Sequence, residues 1–104
     1  MLPFVGYLTV RAQDMTETVW VFHGAGARFS SGVFSSLEQA QSWIERNRLS
    51  GLLTEYPLNI GAYEWAVDGG HFTPKKPEHS SPEFVGGFTS GSQLHFHYEN
   101  GFRA

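Results

Sequence analysis

The residues best suited to chemistry lie in the last alternating stretch of the chain, Gln93 to Glu99, which reads QLHFHYE. A strand points alternate side chains to the same side. Leu94, Phe96 and Tyr98 therefore share one face, and Gln93, His95, His97 and Glu99 share the other. Two imidazoles and a carboxylate in a row are ligand types for zinc or a similar ion. A tetrahedral site, however, needs ligands that converge on one point, and a row does not converge by itself. A further ligand would have to come from His71 or His79, whose positions the sequence does not set. The plainer reading is the solvent face of an edge strand.

Other motifs fall short of a catalytic signature. Gly24-Ala25-Gly26-Ala27-Arg28 follows an apolar run, as a phosphate loop would. The Lys-Ser/Thr pair is absent, and a second extended run follows where a helix should begin. A hairpin turn fits better. Ser30, Ser31, Ser35 and Ser36 do not form a G-x-S-x-G elbow. His23, at the end of the first apolar run, reads as a structural or rim residue. Glu55, Glu64 and Asp68 are carboxylates that could pair as acid and base. Glu64 is expected to share a strand face with Ala62 and Ala66; if that face is buried, it needs a partner such as Arg28. The chain is expected not to be an enzyme and to use no cofactor.

Composition excludes several classes of function. A chain of 104 residues suits one domain. Its 40% hydrophobic and 16% charged content is that of a folded protein. Seven Lys and Arg against ten Asp and Glu give a net charge of −3, without the basic footprint of a nucleic-acid binder. No polybasic run would seek anionic lipid, and no apolar run approaches the ~20 residues of a membrane span. The absence of cysteine removes disulfides, thiol nucleophiles and cysteine-ligated metals. It fits a reducing compartment, and the cytoplasm is the expected location. Residues 1–14 lack a basic leader and are interrupted by Pro3. They read as part of the domain or as an extension of it, not as a signal peptide.

The elements that must position these residues follow from hydrophobic pattern and punctuation. Thr18 to His23 is apolar on both faces and reads as a central strand covered on two sides. Arg28 to Phe34 reads as its antiparallel partner across a short turn. A helix begins at Ser35 or Ser36, with Ser35 and Glu38 as a capping box. Leu37, Ala40 and Ile44 form its apolar stripe, with Trp43 at the edge. Arg46 and Arg48 favour its C-terminal end, and Gly51 is the expected stop. Leu52 to Tyr56 is a short strand ended by Pro57. Ile60 to Val67 alternates and reads as a strand, closed by Asp68-Gly69-Gly70. His71 to Pro82 is polar and Pro-rich, a surface loop. Glu83 to Phe88 reads as a short strand. Gln93 to Glu99 is the last strand, closed by Asn100-Gly101. The fold is thus α+β over residues 1–104: an antiparallel sheet of about five strands, one main helix on one face, in the order β-β-α-β-β-β.

The segments WVFHG, GVFSSLEQAQSWI, LSGLLTEYPL and GAYEWAV resemble a family of small bacterial domains of unknown function. The resemblance covers roughly positions 18 to 70, with an echo at HYENGF. It rests on fold residues and implies a small α+β domain with no catalytic residues to carry over. By size and style, such domains are similar to immunity proteins that neutralise a partner toxin.

Nine Phe, four Tyr and three Trp exceed what so small a core readily encloses, so part of this set is expected on a contact surface. The leading expectation is a non-enzymatic protein-binding module, an immunity protein that blocks a bacterial toxin by occlusion. Its expected contacts are Glu55, Asp68, His95, His97 and Glu99, with the loop over 71–82. One alternative is a metal-binding or metal-dependent protein using His95, His97 and Glu99. Another is a homo-oligomeric module pairing through an exposed edge strand.

Overall fold

Seven residues, Thr18–Gly24, form β1, an interior strand of the sheet. The structure, a computed structural model, describes residues 17–104, and the expected extension over 1–14 lies outside them. The chain turns back into β2, Gly32–Phe34, pairing Trp20 with Phe34 and Phe22 with Gly32. This is the expected hairpin, but its second strand is shorter than Arg28 to Phe34. Residues 28–30 swing out to solvent, where the Arg28 guanidinium lies 5.6 Å from the centre of the exposed Phe29 ring. Pairing resumes once the Ser31 N–H reaches the Phe22 carbonyl at 3.0 Å.

Helix α1, Leu37–Asn47, begins one residue later than the Ser35–Glu38 box predicts. Ser36 is the cap, and its hydroxyl accepts the Gln39 N–H at 3.2 Å. The helix also stops before Gly51. Arg48 takes the left-handed conformation (φ 55, ψ 48), its N–H reaching the Glu45 carbonyl at 3.2 Å. The next N–H, of Leu49, reaches the Ile44 carbonyl at 3.0 Å, completing a Schellman closure. Leu49 then rests against the core that Ile44 anchors. Gly51 is left free to start β3, Gly51–Pro57, which pairs with β1 along its whole length.

Two expected strands are helices. Ala62–Asp68 forms α2 and Pro82–Gly86 forms α3, separated by a 3-10 turn at Pro77–Ser80. In α2 the spacing Ala62, Tyr63, Ala66, Val67 fits a helix as well as the alternation fits a strand, and seven residues do not separate the periods. Glu64 is consequently exposed and needs no buried partner such as Arg28. In α3, Ser81 caps the Phe84 N–H at 3.1 Å with Pro82 in the first turn, a helix start that outweighs the β propensity of Phe84 and Val85. β4, His95–Glu99, follows, and Asn100 and Gly101, both at positive φ, turn it into an unexpected β5, Phe102–Arg103.

The sheet is antiparallel throughout, in the order β2-β1-β3-β4-β5. The α+β class therefore stands, as do, among the described residues, the five strands and the single main helix, while the fifth strand comes from Phe102–Arg103 rather than from Ile60 to Val67. Trp20, Phe22, Leu53 and Tyr98 from the sheet meet Ala40 and Ile44 of α1 in the main core. Gln41 Nε2 donates to the Tyr98 hydroxyl at 3.0 Å, so that buried phenol is satisfied. A second cluster, Tyr63, Phe72, Phe84 and Phe88, brings ring centres within 5.2–6.2 Å of one another among the short helices. Among the described residues no helix is long and apolar enough to cross a membrane.

Candidate functional site

Pleating turns Trp20 and Phe22 towards α1 and sends Val19, Val21 and His23 to the opposite face. The register carries this second face across the sheet. Val33, Val21, Thr54 and His95 lie in one row, and His23, Leu52 and His97 in the next. Glu99 and Phe102 face each other on β4 and β5. None of these residues is fully buried, so the expected double covering of β1 is complete on one side only. Val33 and Phe102, at the two edges, are 65% and 68% exposed. Where Gly24 pairs with Gly51, the face dips into a concavity of about 520 Å³ that includes His23, Leu52, His97 and Glu99 in its lining.

The imidazoles here are oriented as individuals. A carbonyl can only accept, so His23 Nε2–H donates to Ala27 O at 2.6 Å, and His95 Nδ1–H donates to Gln93 O at 2.7 Å. His97 is exposed, with its ring centre 5.6 Å from that of His95 and nearly perpendicular to it. Neighbours two residues apart on a strand stay a row. Among the described residues no group of three or more His, Asp or Glu is placed to hold a metal ion. The face therefore offers apolar anchors interleaved with hydrogen-bonding groups.

Residues 19–104 match the family described as Domain of unknown function (DUF7710). The chain belongs to that family. The DUF7710 match starts within β1 and runs to residue 104, so among the described residues it takes in every other strand, the three α-helices and both faces of the sheet. No curated protein and no solved structure matches the chain.

The five expected contacts do not form one patch. His95, His97 and Glu99 share the second face. Glu55 faces the other way, opposite Trp20, and accepts a 2.6 Å hydrogen bond from the Thr18 hydroxyl, a brace within the sheet. Asp68 is the exposed last residue of α2. His71 stacks on Trp65 at 4.8 Å, and His79 sits at 4.9 Å from Phe84, so neither supplements the histidine row. Sequence reasoning missed Phe102 and Val33. Asn100-Gly101 followed by an aromatic is a hairpin signal, and it would have placed Phe102 on a strand.

Proposed function

We propose that this domain is a non-enzymatic protein-binding module whose partner docks on the second face of the sheet. One observation carries the reading: Phe102 and Val33 stand exposed on the same face as His97 and Glu99, and those two line a concavity. An exposed aromatic anchor next to hydrogen-bonding groups is what a protein interface uses. The net charge of −3 favours a basic partner through long-range attraction. An immunity protein that occludes a basic bacterial toxin, such as a nuclease, in the cytoplasm fits this size, acidity and cysteine-free chain.

The test is binding to the product of the neighbouring gene, followed by isothermal titration of variants. Phe102→Ala and His97→Ala should each weaken binding about tenfold or more. A complex unaffected by either change would place the interface elsewhere. No complex at all would remove the reading.

A further inference from the structure

The second aromatic cluster borders an open groove of about 650 Å³, within the size range of small-ligand sites and sharing no residue with the concavity on the sheet. Phe72, Phe84 and Phe88 line it, each half-buried, so each ring keeps accessible surface. The rings are inclined to one another: Phe72 to Phe88 at 64° and Phe84 to Phe88 at 57°. Phe72 and Phe84 lie only 30° apart, so Phe88 sets its ring at a steep angle to both. Glu83, exposed in the first turn of α3, adds a carboxylate, and no Lys or Arg is among the lining residues.

The opposite wall, residues 89–92, is held in place. Buried Gln93 accepts the Ser90 N–H at 3.3 Å and donates to the Glu55 carbonyl at 3.2 Å, pinning the loop to β3. The Ser92 N–H is bonded to the Ser90 hydroxyl at 3.1 Å. Gly87 and Phe88 N–H groups bond to Glu83 and Val85 carbonyls. These amides are engaged within the protein and are not offered to an anion. Aromatic rings with a carboxylate instead suit a cation, worth about two- to five-fold in affinity per exposed ring contact.

We propose that the groove between α3 and the 89–92 loop binds a small organic cation of the alkylammonium class. Phe72, Phe84 and Phe88 supply the aromatic walls and Glu83 the counter-charge. The test is an amide NMR titration of the full chain with choline chloride and with its neutral isostere 3,3-dimethylbutan-1-ol, at matched ionic strength. Choline should shift the amides of Phe84, Phe88 and Ser90 to Ser92, and the neutral isostere should bind about five-fold more weakly or worse. Glu83→Gln, an exposed change, should weaken choline about two-fold or more and leave the isostere unchanged, the ring contribution to choline persisting. Phe88→Leu, which keeps apolar volume without the ring, should weaken choline about two- to five-fold. Equal binding of the two probes, insensitivity to Glu83→Gln, or no shift of the groove amides would overturn the proposal. Should Phe88→Leu fail to fold, the isostere comparison and Glu83→Gln still decide it.

Discussion

Gln93 shows how much can turn on one side chain. It is 2% exposed and spans from the Ser90 N–H to the Glu55 carbonyl, so it joins the region of short helices to the sheet. Gln93→Leu keeps the bulk but strips both partners. It should cost about 1–3 kcal/mol, read by urea unfolding, and a loss of only a few tenths would mean water replaces the amide without penalty. The sequence places Gln93 on a polar row with His95, His97 and Glu99, as the alternation demands. Its burial was not legible, because nothing local tells a polar residue facing solvent from one facing a partner 38 positions away. Glu55 teaches the same lesson. A carboxylate in a strand looks like a free contact until Thr18 is found bonded to it.

At the scale of elements, local chemistry was readable where it repeats and ambiguous where it is brief. The eleven residues of α1 allow three turns of apolar spacing, enough to fix a helix; the cap is a choice between adjacent serines that only geometry settles. Ser36→Ala should cost about 1 kcal/mol, because the Gln39 N–H loses its acceptor, whereas Ser35→Ala should cost no more than a few tenths. Thermal unfolding of the pair checks this, and equal losses would contradict a cap at Ser36. β1 and β3 are legible as strands through their apolar runs. The seven residues of α2 and five of α3 are too few to show a period. In α2, Tyr, Trp and Val favour a strand. What decides for the helix is tertiary: Tyr63 is held against Phe72, just beyond the helix, and against Phe84 and Phe88, distant in sequence.

Across the whole molecule the sheet divides the labour. One face builds the core with α1, and the other leaves its residues half-buried or exposed. The edge strands are three and two residues long, a short template for pairing with another copy, which favours the face over the edge as the place of contact. The histidine row was legible from the alternation of β4, but the apolar anchors at the rims were not. Their exposure depends on which strands end the sheet, a fact of topology. A protein partner is proposed to cover this second face. Hydrogen–deuterium exchange of the chain, alone and with the product of the neighbouring gene, tests it most directly. Slowed exchange is expected at His95–Glu99, Phe102 and Val33 on complex formation, with the α1 amides unchanged. Protection confined to α1, or a complex that leaves β4 and β5 exchanging as before, would contradict it.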